Sequence, residues 1–229
     1  MLRQKLKNAG KPFQIITLNL DFFRIATEDQ TFQLICQKAD LIVPDGAGIT
    51  SLLRIKYREK VNRITGTDIF KSVLELSDEL PIRVALIGST EEVLKKVNEK
   101  ITSSYPRLNV VSLLSPPQNF EGNYEENKRI IQEIKKSSPT ALFLALGCPR
   151  QEYWIAENME EIGALINVGI GSVFDTYSGK KKRAPLLFQR MGLEWFFRLI
   201  SEPKRLYKRY LVYDFPFYFS ELLKIVRQR

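Results

Sequence analysis

The chain of 229 residues contains no histidine, and that single absence removes several chemistries at once. Without an imidazole there is no Ser-His-Asp triad, no Cys-His dyad and no zinc site that uses histidine. Cysteine is almost as scarce. Cys36 and Cys148 are the only two, too few for a four-cysteine zinc site and too far apart for a CxxC redox motif. A reduced, cytoplasmic setting is expected. Long hydrophobic runs are missing as well: residues 210–226 are broken by Asp214, Pro216, Glu221 and Lys224, so no segment reads as a bilayer span. Residues 1–11 are basic but lack the apolar stretch of a secretory signal, and read as the end of a helix. Acid/base work must fall on Asp, Glu, Lys, Tyr or Cys.

What is present is unevenly placed. Residues 180–229 carry 13 lysines and arginines against 4 acids, a net of +9 that equals the whole-chain excess of 35 over 26. The same segment holds 11 of the 25 aromatic residues. A basic and aromatic tail suits an anionic membrane surface or a phosphate-rich ligand. No RNP, zinc-finger or KH signature accompanies it, so nucleic acid is not an expected partner.

Hydrophobic patterning predicts strands at residues 13–20, 39–43, 82–87, 108–114, 140–146 and 165–168, alternating with helices near 29–39, 48–57 and 125–136, one that follows the 63–68 loop with Ile69, Val73, Leu74 and Leu76 as apolar positions, and one opened by residues 88–92. That alternation predicts an α/β fold, a Rossmann-like mainly parallel sheet with flanking helices. A core over 1–179 followed by a basic helical appendage over 180–229 is the expected organisation. Along the first strand Thr17, Asn19 and Asp21 alternate with apolar neighbours, placing three polar side chains on one face near its end.

The stretch Val43-Pro44-Asp45-Gly46-Ala47-Gly48 stands out. Pro44 ends a strand, two glycines permit a tight turn, and Asp45 is presented where parallel sheets bind their ligands. Asp45 can serve there as a catalytic acid group or as the N-cap of the next helix. Arg63, beside Thr65-Gly66, can hold an anion or lie on the surface. Gly147-Cys148-Pro149-Arg150-Gln151-Glu152 opens a helix after another strand, where Gln151 can bond a nucleotide or sugar, or the segment can simply cap that helix. Gly169-Ile170-Gly171 resembles a phosphate-cradling turn, and Asp175 follows it. Without a third glycine or an early βαβ unit it is no dinucleotide fingerprint.

Taken in order, Thr17-Leu18-Asn19, Pro44-Asp45-Gly46-Ala47-Gly48, Arg63-Ile64-Thr65-Gly66, Gly147-Cys148-Pro149-Arg150-Gln151-Glu152, Gly169-Ile170-Gly171 and Arg183-Ala184-Pro185 form one pattern. With Leu193-Glu194-Trp195 and Glu202-Pro203, the series resembles the WecG/TagA/CpsF family of bacterial glycosyltransferases over residues 13–210. The resemblance implies transfer of a sugar from a UDP-sugar donor to a polyprenyl-diphosphate-linked sugar acceptor, in the synthesis of cell-surface polysaccharides such as wall teichoic acid. The sugar implied is N-acetylmannosamine, its uronic acid or glucose, and the place is the inner face of the plasma membrane, with peripheral attachment.

Residue by residue, the resemblance makes Asp45 the general base of an inverting reaction. Thr17 and Asn19 line its pocket, Arg63 and Gln151 orient substrates, and Gly147, Gly169, Gly171 and Asp175 lie near the nucleotide. Arg198, Arg205, Lys208 and Arg209 supply cations to the diphosphate. No DxD motif is present, so no cofactor and no metal ligand are expected; guanidinium groups would stabilise the departing UDP. The family pattern also implies a strand and helix ahead of Thr17, a unit expected to be absent from this chain, and a Glu in many members where Asp21 stands, altering acceptor contacts. A non-catalytic UDP-sugar-binding protein at the membrane surface is the competing expectation. Self-association through an apolar patch under the tail stays open.

Overall fold

A computed structural model describes residues 2–7 and 10–228, without the side chain of Arg190. The expected N-terminal helix spans Leu2–Lys7; Met1, Asn8 and Ala9, which that expectation also covered, lie outside the described residues, as does Arg229 at the end of the predicted appendage.

Six strands form one sheet: β1 (Phe13–Leu18), β2 (Leu41–Pro44), β3 (Arg83–Gly88), β4 (Asn109–Leu114), β5 (Ala141–Ala145) and β6 (Ile166–Gly169), in the order β2-β1-β6-β5-β3-β4. The pairings of β1 with β6, β6 with β5, β5 with β3 and β3 with β4 are all parallel. The central strands show why. β3 and β5 read as uninterrupted apolar runs, VALIG and ALFLA, and are buried on both faces, as parallel strands covered by crossover helices must be.

The chain falls into two compact units, one of Met1–Ile16, Gln37–Leu41 and Gly66–Lys182, the other of Thr17–Cys36, Ile42–Thr65 and Arg183–Arg229. In the first, helices Gly66–Glu75, Glu91–Ser104, Tyr124–Ser137 and Arg150–Ile162 flank the strands. Two of these helices start at side-chain caps: Thr90 accepts from Val93 N–H at 3.4 Å and Asn123 from Glu126 N–H at 3.1 Å. Ile130, Ile134, Trp154 and Ile155 bury their side chains against Ile87, Leu142 and Leu144 of the sheet.

The second unit departs from expectation at its start. β1 stops at Leu18, and Asn19 caps a helix over Leu20–Glu28 by accepting from Phe22 N–H at 3.1 Å. Asn19 and Asp21 therefore belong to a helix start, not to an extended alternating face. The alternation of Ile16, Leu18 and Leu20 hid the cap. A second helix, Gln30–Lys38, follows, so the single helix expected near 29–39 is preceded by another.

Residues 183–228 contain helices Leu186–Arg190, Glu194–Ser201, Pro203–Tyr207 and Phe215–Arg227, with a π-helical stretch Lys208–Asp214 between the last two. At its end Phe215 N–H reaches back five residues to Tyr210 O. Directly afterwards comes Pro216, which has no N–H to give, and a widened turn accommodates such a loss. The segment is tied into its unit by Phe217 edge-on to Phe23, centroids 5.3 Å apart, and by Tyr218 OH 3.0 Å from Ser51 Oγ.

Candidate active site

Asp45 follows directly on β2, and backbone hydrogen bonds fix its place. Its N–H donates to Leu18 O at 2.7 Å, and Pro44 O accepts from Ile64 N–H at 3.0 Å. Strand ends Leu18 and Pro44 and the Arg63 loop are thus held together. Gly46 follows at φ +95°, a backbone that L side chains rarely adopt. It is Gly46, and not Asp45, that occupies the N-cap position of helix Ala47–Tyr57.

Asp45 opens onto a cavity of about 360 Å³ whose lining residues all belong to the second unit. Asn19, Arg63, Arg198 and Arg209 line it too, so four other predicted site residues meet Asp45 there. Thr17 does not line it: this residue is buried on β1. Arg205 and Lys208 do not line it either; both are exposed, and Arg205 bonds Glu202 at 2.6 Å. Sequence reasoning overlooked the aromatic wall made by Trp195, Tyr210, Phe215 and Tyr218. These residues lie far from Asp45 in sequence, and only their concentration in the tail hinted at them.

The lining holds three arginines and four acids, Asp21, Asp45, Glu194 and Asp214, so the guanidinium groups come already paired. Glu194 Oε2 accepts from Arg63 at 3.0 Å and its Oε1 from Arg198 at 3.2 Å. Desolvation pulls the Arg198 pKa down, but Glu194, Tyr210 and Asp45 outweigh it and hold this guanidinium above its ordinary value. Arg209 Nε lies 3.1 Å from Asp21 Oδ2 and 3.6 Å from Asp214 Oδ2. Asp21 also accepts from Arg24 at 2.8 Å. Asp214 is only 5% exposed. Burial, then the neighbouring Asp21 charge, raise its carboxyl to about 6 against the pull of Arg209 and Arg24. Burial likewise raises the Tyr210 phenol, despite Arg209 and Arg198.

A separate cluster forms in the first unit at the ends of β5 and β6. Gln151 Oε1 accepts from the N–H groups of Gly147 and Gly171, 3.1 Å each, and its Nε2 donates to Glu152 Oε1 at 2.7 Å. Both side chains are about 2% exposed. Gln151 therefore uses its amide inside the protein to hold two strand-end loops in register. Burial raises the Glu152 carboxyl to about 7, with the Gln151 and Cys148 hydrogen bonds acting the other way. The helix here starts at Arg150, with Pro149 as its N-cap. Asp175 accepts from Ser89 Oγ at 3.1 Å and lies 3.5 Å from Lys181 Nζ.

Comparison with known proteins gives this arrangement a context. The family model of the glycosyl transferase WecG/TagA/CpsF family matches residues 1–229. The chain belongs to that family. An N-acetylglucosaminyldiphosphoundecaprenol N-acetyl-beta-D-mannosaminyltransferase of Bacillus subtilis is 32% identical over 210 residues, covering 92% of this chain and 78% of the relative. Its counterpart from Bacillus spizizenii is 30% identical over 210 residues with the same coverage. One from Staphylococcus aureus is 26% identical over 193 residues, 84% of this chain and 73% of the relative. Family membership accounts for the order of the turns. The acid–arginine pairing is what the folded chain adds.

Proposed function

We propose that the protein is an inverting hexosyltransferase that moves a sugar of the N-acetylmannosamine type from a UDP-sugar to a polyprenyl-diphosphate-linked sugar. The observation that carries the proposal is the meeting of Asp45 with Arg63, Arg198 and Arg209 around one cavity of about 360 Å³, within the size range of small-molecule sites. The names of the relatives supply the sugar and the lipid diphosphate.

In this reading Asp45 takes the proton from the acceptor hydroxyl. The freed oxygen forms a bond to the anomeric carbon from the side opposite UDP, the bond from that carbon to UDP breaks, and UDP leaves with the electron pair. Negative charge grows on the diphosphate as it leaves. Fixed guanidinium donors stabilise it through charge-assisted hydrogen bonds, and turnover needs no divalent metal. In this reading Arg63 and Arg198 do this, and Asn19 forms part of the cavity wall. Gly147, Gly169, Gly171 and Asp175 serve the nucleotide in the same reading, and Gln151 holds the Gly147 and Gly171 loops. Thr17 supports the site from β1.

Among the described residues no helix is long and apolar enough to cross a membrane. The tail would dock peripherally on the cytoplasmic face. It exposes Leu186, Leu187, Met191, Ile200, Leu223 and Val226 alongside its lysines and arginines, the mixture that binds anionic bilayers. Arg205 and Lys208, exposed in the same segment, would meet lipid or diphosphate.

The test is UDP release from a panel of UDP-sugars, with a short-chain polyprenyl-diphosphate-linked N-acetylglucosamine acceptor and EDTA present, in wild type and Asp45→Asn. Acceptor-dependent release that survives EDTA and disappears in the variant supports the proposal. Binding of UDP without transfer to any lipid-linked acceptor overturns it.

A further inference from the structure

Leu193-Glu194-Trp195 belongs to the recurring pattern, yet the reaction outlined above gives Glu194 no part. We infer that Glu194 is a positioning residue that sets the spacing of Arg63 and Arg198 beside Asp45 for a diphosphate. The inference rests on the transferase reading and deepens it.

The geometry is specific. Glu194 is the first residue of helix Glu194–Ser201, and its side chain is 12% exposed. It does not grip one arginine with both oxygens. Oε1 takes Arg198, one turn along the same helix, and Oε2 takes Arg63, 131 residues away in sequence. The first contact alone is an ordinary i,i+4 pair, worth little on a helix surface. The second makes it a bridge between the C-terminal segment and the loop whose next residue, Ile64, bonds Pro44, the neighbour of Asp45. Each guanidinium has five N–H donors in a rigid fork and gives Glu194 one. A fork that gives Glu194 one donor has others with which to take an anion. Both Glu194 oxygens accept from guanidinium groups, so Glu194 serves to hold those donors. Glu194 gives Arg198 a carboxylate partner at 3.2 Å, beside the longer-range attraction of Asp45.

The test compares wild type with Glu194→Gln, Glu194→Asp and Arg63→Ala, and with the double variant Arg63→Ala/Glu194→Gln. Readouts are kcat, donor KM, UDP affinity by calorimetry, and thermal midpoint. Glu194→Gln, which keeps shape but must turn one N–H toward a guanidinium, is expected to lower kcat by roughly 100-fold and weaken UDP binding by about tenfold, with the midpoint close to wild type. Glu194→Asp recovers part of the loss. The double variant is no worse than its poorer parent, because the two residues act as a unit. A Glu194→Gln protein with kcat and UDP affinity within about twofold of wild type, or losses that simply add, overturns the inference. Failure of the transferase reading shows separately, as a wild type that binds UDP and never transfers; UDP affinity then still decides the role of Glu194.

Discussion

Gln151 lays its side-chain amide against the bare Cα of Gly169: a Cβ there would stand 2.5 Å from Gln151 Nε2 and 2.6 Å from Glu152 Oε1. The same amide holds the N–H groups of Gly147 and Gly171, so it cannot step aside without leaving those donors unpaired. Gly169→Ala is therefore expected to destabilise the protein by about 1–3 kcal/mol, the usual cost of overpacking. Urea unfolding checks this. A midpoint equal to wild type would mean that the cluster rearranges at no cost.

Asp45→Asn separates chemistry from folding. Asp45 is not the N-cap of the helix after it, and amide for carboxylate preserves shape. Loss of a general base costs about 10²–10⁴-fold in rate. Turnover is expected to fall by that much while the thermal midpoint stays near wild type. A rate within tenfold of wild type would give the proton to another group.

Glu152 makes stability depend on pH. Its folded pKa of about 7 lies above the ordinary glutamate value of 4.5, and the residue is 2% exposed. The native state thus keeps a proton that the unfolded chain releases. Its contribution is fully present below about pH 4.5, declines as pH rises through 4.5–7, and is lost above 7. At 1.36 kcal/mol per pKa unit the penalty above pH 7 is about 3 kcal/mol. Glu152→Gln carries no charge, so it should gain on wild type by up to that amount between pH 5 and pH 8 in urea titrations. Parallel curves for the two proteins would contradict this.

Removing Arg209 should expose the repulsion between Asp21 and Asp214. Breaking a buried ion pair costs about 3–5 kcal/mol; Arg209 is 32% exposed, so Arg209→Met is expected to cost about 1–3 kcal/mol at pH 8. The loss should shrink at pH 5, where Asp214, with its pKa of about 6, is protonated. Adding Asp214→Asn should recover stability at pH 8. A double variant as weak as Arg209→Met would refute the charge explanation.

Much of the architecture was legible because parallel strands advertise themselves. VALIG and ALFLA are apolar without a break, and each is closed by turn or capping residues. The Asp45 turn was legible for the same reason, since proline and glycine act through local backbone geometry. Helix Leu20–Glu28 was not read, because its cap, Asn19, fell on the beat of an alternating strand. Nor was the Glu194 bridge, or the bond between Ser51 and Tyr218 across 167 residues. No spacing rule relates residues that far apart. The sequence also gave no sign that Gln151 would turn its amide inward: polar residues at a helix start invite a ligand reading, and burial is a property of the fold.

The π-helical turn at Lys208–Asp214 has a consequence for how the tail tolerates change. Each residue of an α-helix advances the side chain by roughly 100° around the axis. Arg209 and Asp214 inside the turn face Asp21 and Arg24, and Tyr218 beyond it reaches Ser51. Both sets of contacts depend on the underwound backbone between them. Deleting one residue within the turn would tighten it toward ordinary helix and swing the downstream portion by about a quarter of a revolution, pulling Phe215 and Tyr218 off the cavity they wall. The tail is phased like a key cut on two sides, and a one-residue change in length would spoil it more surely than many changes of side chain.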